Sequence, residues 1–355
     1  MGIEMNGFEV RIGKLRDLAA EKGLQSIVLR RNPNLAWAIG GRVHVPLTLD
    51  LACFDLIITK DSVVAITNSI EAPRLAAEEF PTGIDVIQVN WWESRDSKLP
   101  TGELVGSDNP SNGSLNLATE IEKLRQSLVT EDITRFKEVS ADTARALGAA
   151  LKESSVTDRE VDISGRIANA LWQKNLELVF IGVAGKERVT KFRHPLPTES
   201  IVGNRIVASV CARRKGLIAS VTRIVSFAGD ETSGYEDILK VESEIFNACK
   251  VGNKFSEPIE AAIAAYPKYG FAPDEWTKHH QGGPTGYAPR DWPANRQSAQ
   301  LIQESQPIAW NPTGNGWKAE DTILATSAGL EILSSDPNWP SVEIGGRIRP
   351  ALLIK

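Results

Sequence analysis

Stretches with helical apolar spacing alternate with short β-rich apolar runs along the whole chain, which points to mixed α/β architecture. Residues 11–25 (RIGKLRDLAAEKGLQ) have helical spacing and stop at Gly23, a residue suited to end a helix. SIVLR reads as a buried strand, and LACFDLIIT and SVVAIT as two more split by a turn at Lys60-Asp61. EAPRLAAEEF is helical up to Pro81, and IDVIQVN is a fourth strand. Residues 101–116 are rich in Gly, Ser, Asn and Pro, and within them LVGSD also fits a short strand and turn. A long helix over Glu131–Lys152, with Thr130 as its N-cap, opens a second region. There the helices 160–175, 235–250 and 256–266 alternate with the runs RIVASVCA, TRIVSF and TILATSAG. At roughly 150 residues per domain, 355 residues make about two. The expected division is 1–128 and 129–355.

Composition removes several function classes. Forty basic against 45 acidic residues give a net charge of −5, which argues against a nucleic-acid binder. No apolar run approaches the ~20 residues of a membrane span. The opening residues Met1 to Gly7 have neither the basic nor the apolar region of a signal peptide. Cys53, Cys211 and Cys249 form no CxxC pair and read as reduced core thiols. The expectation is a soluble, cytoplasmic protein.

Several blocks carry a more specific signal. They are LRDLAAEKGLQSIVLRRNPNLAWAIGG with Asn34 in its turn, VTDREVDI, HPLPTESIVGNRIVASVCARRKGLIASVTRIVSF, GGPTGYAPRDWP, WNP and GWKAEDTILATSAGLEIL. In this order the chain resembles the creatinase, prolidase and aminopeptidase P group. The resemblance implies a small N-terminal creatinase-like α/β domain followed by a C-terminal α+β pita-bread domain. It also implies association as a homodimer.

Metallopeptidases of that group hold two divalent ions with two Asp, one His and two Glu, and the ions generate hydroxide from bridging water. By the resemblance, those positions fall here at Ser209, Ser220, Gly283, Asn311 and Glu320. Only Glu320 is a carboxylate, so no metal and no other cofactor is expected. Creatinase, which also lacks metals, implies a different chemistry. Its acid/base His corresponds to His194, held between Arg193 and Pro195. A neutral imidazole can accept and return a proton at working pH.

The function expected is metal-independent cleavage of a C–N or related bond in a small polar, carboxylated molecule, by a hydrolase or a lyase, with isomerase chemistry by proton abstraction equally open. His194 and Glu320 would be catalytic. Ser209, Ser220, His279, Arg290 and Asn311 would bind substrate, with Arg290 on its carboxylate. The adjacent His279 and His280 are expected on opposite faces of a strand, which disfavours joint ligation. The alternative is an inactive pseudopeptidase whose cleft binds a peptide or protein.

Overall fold

A computed structural model describes residues 6–45, 49–111 and 113–355. Residues 1–5, where no signal peptide is expected, lie outside the described residues, as does residue 112 of the Gly- and Ser-rich stretch. The chain divides into two compact units. One runs to Thr134 and takes in Lys215–Leu217; the other comprises Arg135–Arg214 and Ile218–Lys355.

The first unit begins with α1 (Gly7–Glu21), which starts ahead of the expected residue 11. The reason is a capping box: the Asn6 carboxamide accepts from the Glu9 N–H at 2.9 Å, and the Glu9 carboxylate accepts from the Asn6 N–H at 3.1 Å. After β1 (Ser26–Arg31), the expected Asn-containing turn is instead a helix, α2 (Asn32–Ile39), with Pro33 in its first turn and Gly40 at φ +70° beyond its end. Asn34 is structural. Its amide donates to Asp108 at 2.7 Å, and its carbonyl accepts from Arg125 at 2.9 Å.

The remaining strands are β2 (Leu51–Thr59), β3 (Val63–Asn68), β4 (Asp85–Val89), β5 (Val105–Ser107) and β6 (Leu115–Asn116). They form one mixed sheet ordered β4-β3-β2-β1-β5-β6. A short helix, α3 (Ala72–Arg74), continues as a π-helical turn over Leu75–Glu79, and α4 (Ala118–Gln126) follows β6.

The second unit takes in most of α5 (Thr130–Lys152), then α6 (Glu160–Trp172), β7 (Glu177–Gly185) and α7 (Lys186–Val189). The sequence reading passed over β7, whose exposed half carries Val179 and so lacks the alternation that marks a strand. Next come β8 (Arg205–Arg214) and β9 (Leu217–Ser226). They are joined by Lys215 and Gly216 with φ of 46° and 87°, the two left-handed residues that a type I′ hairpin turn requires. Two helices follow, α8 (Tyr235–Ala248) and α9 (Ser256–Lys268). The last elements are β10 (Gly282–Pro284), β11 (Gln306–Trp310), β12 (Thr313–Gly314), β13 (Trp317–Lys318), β14 (Asp321–Thr326), β15 (Gly329–Ile332), β16 (Ser341–Ile344), β17 (Arg347–Pro350) and β18 (Leu353–Ile354). Two four-stranded sheets result, β18-β9-β8-β7 and β10-β11-β14-β15.

The apolar core joins α8 and α9 to the second of these sheets through Ile245, Phe246, Phe255, Tyr266, Trp310 and Ile323. Among the described residues no helix is long and apolar enough to cross a membrane.

Beneath the core lies a buried ionic network. Arg349 donates to Glu242 and, at 2.8 Å, to Asp321, while Arg223 reaches Asp321 at 3.1 Å and the Ser334 carbonyl at 2.6 Å. Burial pushes the Glu242 carboxyl above its ordinary range, and Arg349 opposes that rise. Each charge is held by its partner, because an uncompensated buried ion is strongly unfavourable. Replacing Arg349 with Met should lower unfolding stability in urea by about 3–5 kcal/mol. A midpoint equal to that of the wild type would show that the network contributes nothing.

Candidate functional site

Three segments meet in the second unit. β8 supplies Ser209, β9 supplies Ser220 and Thr222, and the stretch from β13 into β14 supplies Lys318, Glu320 and Thr322. The Thr322 side chain is one of the groups that join the two sheets. The Thr322 hydroxyl accepts from the Ser220 N–H and donates to the Ser220 carbonyl, both at 2.9 Å. The Thr222 N–H donates to the Glu320 carbonyl at 3.0 Å.

This registry closes a ring of four polar groups. The Lys318 ammonium donates to Ser209 Oγ at 3.2 Å and pairs with Glu320 Oε2 at 2.9 Å. Thr222 Oγ1 lies 2.7 Å from both Ser209 Oγ and Glu320 Oε2. The single Thr222 proton goes to the carboxylate, so Ser209 donates to Thr222. Burial alone would raise the Glu320 carboxyl, but Lys318 and then Arg290 hold it below its ordinary value.

Arg290 fills the other side. Its guanidinium donates to the carbonyls of Gly283 at 2.8 Å and Ala309 at 2.7 Å, and lies 4.0 Å from Glu320. Its Nη1 is thus committed to two backbone carbonyls, while Nη2 is the atom nearest Glu320. Gly283 sits at φ +149°, and a Cβ there would lie 2.5 Å from the Trp292 carbonyl, so this backbone has no room for a side chain.

Ser220 is displaced from the role expected of it. It is fully buried with its Oγ 3.3 Å from Cys211 Sγ, which leaves it no access to a ligand. Asn311 is buried, and its Oδ1 has no hydrogen-bond partner among the described residues. Glu320, expected to touch substrate, has one oxygen committed to Lys318 and Thr222. Lys318, read from the sequence only as a charge neighbour of Glu320, is the side chain that faces open space.

That space is a narrow pocket of about 30 Å³, lined among others by Phe180, Phe192, Arg193, His194, Ser209 and Lys318. Arg193 is anchored by Glu275 and Thr313. His194 is an exposed residue at the pocket wall, and its Nε2 lies 2.9 Å from His279 Nε2. Burial, then the charge of Lys318, lowers its pKa, with Glu320 opposing.

His279 and His280 do not part as expected. They lie in irregular backbone between a 3₁₀ turn (Glu275–Lys278) and β10, so the two-residue alternation of a strand does not apply. Their rings stack at 4.4 Å and 22°, and both approach His194, with centroids 4.6 and 5.6 Å away.

No family model matches the sequence, and no curated protein matches it. Solved structures do. A prolidase from Thermococcus sibiricus aligns with a TM-score of 0.80 at 15% identity, covering 99% of this chain and 100% of that one. The chain has the pita-bread fold. The prolidase from Pyrococcus horikoshii OT3 aligns with a TM-score of 0.78 at 17% identity over 92% of this chain and 98% of that one. The N-terminal domain of the FACT complex subunit SPT16 from Cicer arietinum reaches 0.72 at 14% identity, over 94% and 97%.

The dinuclear centre implied by the resemblance does not fit the residues of this pita-bread chain. Two serines, a glycine and an asparagine replace charged or imidazole ligands. The remaining carboxylate is neutralised by an ammonium that also occupies Ser209. Two cations of the protein stand where a dinuclear site would need anionic donors.

Burial pushes His280 down to about 4 and also lowers His279, with Arg290 and Lys318 respectively as the next cause. Below 6.5, the ordinary value for histidine, the unfolded chain takes up protons that these folded imidazoles refuse. Stability should therefore fall as pH is lowered from 6.5 towards 4. In a His279→Gln/His280→Gln variant the fall should be shallower in denaturant titrations; an identical slope would show that other groups control it.

Proposed function

We propose that this protein is a creatinase-type enzyme that cleaves a C–N or related bond in a small carboxylated molecule without a dinuclear metal centre. The observation that carries this reading is the shared pocket of His194 and Lys318. An imidazole that is neutral at working pH stands beside a fixed positive charge, which combines a proton acceptor with an anion site. His194 has Nε2 on His279, and its Nδ1 makes no hydrogen bond among the described residues. That nitrogen would take a proton from the attacking water as the C–O bond forms and return it to the leaving nitrogen as the C–N bond breaks. Lys318 would hold the substrate carboxylate or the developing oxyanion. Ser209, Thr222 and Glu320 hold Lys318, and His279 positions His194. On the same reading, the chain is a cytoplasmic homodimer that needs no nucleic acid, membrane or cofactor.

The second reading, a catalytically inactive module that binds peptide or protein, draws support from the SPT16 domain, since that chain is a complex subunit. The grouping of a titratable imidazole with two cations, Arg193 and Lys318, on the pocket wall favours the first reading.

A thermal-shift screen of small metabolites should yield hits concentrated among carboxylates, and Lys318→Met should abolish them. On the substrate so found, His194→Ala should lose about 10²–10⁴ in rate while keeping its melting temperature. Full activity in that variant, or stabilisation by peptides alone, would remove the enzymatic reading.

A further inference from the structure

The imidazole cluster has a capacity that the acid/base reading does not use. His194, His279 and His280 each offer a nitrogen, and these atoms lie within 4.8 Å of one another. We propose that the three rings bind a single first-row transition-metal ion such as Zn²⁺, at a site distinct from the carboxylate positions of the dinuclear centre.

Three observations converge. The first is spacing. Zinc–nitrogen bonds of about 2.0–2.1 Å place the ligand atoms of a tetrahedral site a little over 3 Å apart. His194 and His279 already stand at 2.9 Å. The second is unmet hydrogen bonding. Nδ1 of His280 is buried without a partner among the described residues. Buried polar atoms ordinarily find partners, and a metal ion is one that accepts an imidazole lone pair.

The third is the donor chemistry. Three imidazoles with no carboxylate select Zn²⁺, Cu²⁺ or Ni²⁺ over Mg²⁺ or Ca²⁺. Lys318 and Arg290 oppose a cation here, and they would favour an anionic group or hydroxide in the fourth position. The sequence reading expected no metal and disfavoured joint ligation by His279 and His280; the stacking of the two rings beside His194 departs from the strand geometry behind that expectation.

Metal binding stands independently of the proposed catalysis. One consequence rests on that reading: an ion on His194 would withdraw it from proton transfer, so the loaded form would be the silent one.

The test uses chelator-treated, full-length protein titrated with Co²⁺, whose tetrahedral complexes absorb strongly in the visible. One equivalent should bind with tetrahedral bands and be displaced by Zn²⁺. His280→Ala should lose the bands and weaken binding by more than about 100-fold, beyond the cost of losing an outer-shell partner. His194→Ala, which alters an exposed ring, should do the same, so a folding failure of the first variant does not decide the matter. Glu320→Gln should keep the bands. Absence of stoichiometric binding, bands that survive both histidine substitutions, or bands lost only in Glu320→Gln would each overturn the proposal. A rate measurement on metal-free His194→Ala tests the catalytic reading separately.

Discussion

The ion pair between Lys318 and Glu320 organises everything around it. Both side chains are at most 8% exposed, and neither charge could remain there alone. The ammonium needs acceptors and the carboxylate needs donors. Ser209 and Thr222 meet both needs by passing a hydrogen-bond chain from one end of the pair to the other. A fixed positive charge thus sits at the pocket wall without any ion from solution. It differs from a divalent ion in kind, since it donates protons in hydrogen bonds and cannot activate water as a Lewis acid.

Residues 320–322 explain how one stretch serves two networks. Successive side chains along extended backbone point to opposite faces. Glu320 turns to Lys318 and Thr222, Asp321 turns to Arg223 and Arg349 in the interior, and Thr322 turns back to join β9. The ionic network around Asp321 anchors the strand from which Glu320 projects. The proton-transfer group and the charged group of the pocket are therefore held by different parts of the unit, His194 by a loop with two prolines and Lys318 by the strands.

Local signals were legible where they are strong. The apolar runs of β8, β9 and β14 and the helical spacing of α8 and α9 came through because periodicity reports burial directly. The early start of α1 lay in Asn6 and Glu9, whose spacing is a capping signature outside the apolar window. Lys318 was passed over because a lysine next to a glutamate is ordinarily a solvated pair. No local pattern shows that this one is enclosed by β8 and β9. His279 and His280 misled for a related reason, since strand alternation was applied to a segment whose backbone is irregular.

The residue types by themselves determined which chemistry is open. Alternating segments require an α/β build, and a serine, glycine or asparagine cannot supply the negative charge that a pair of divalent ions needs. These are properties of side chains and hold in any arrangement. Tertiary structure alone decided what stands in that space instead. Lys318 reaches Ser209 across 109 residues of chain, and His194 reaches His279 across 85. Approaches of that kind depend on how two sheets register through Thr322 and on where a loop turns, and no spacing along the chain encodes them.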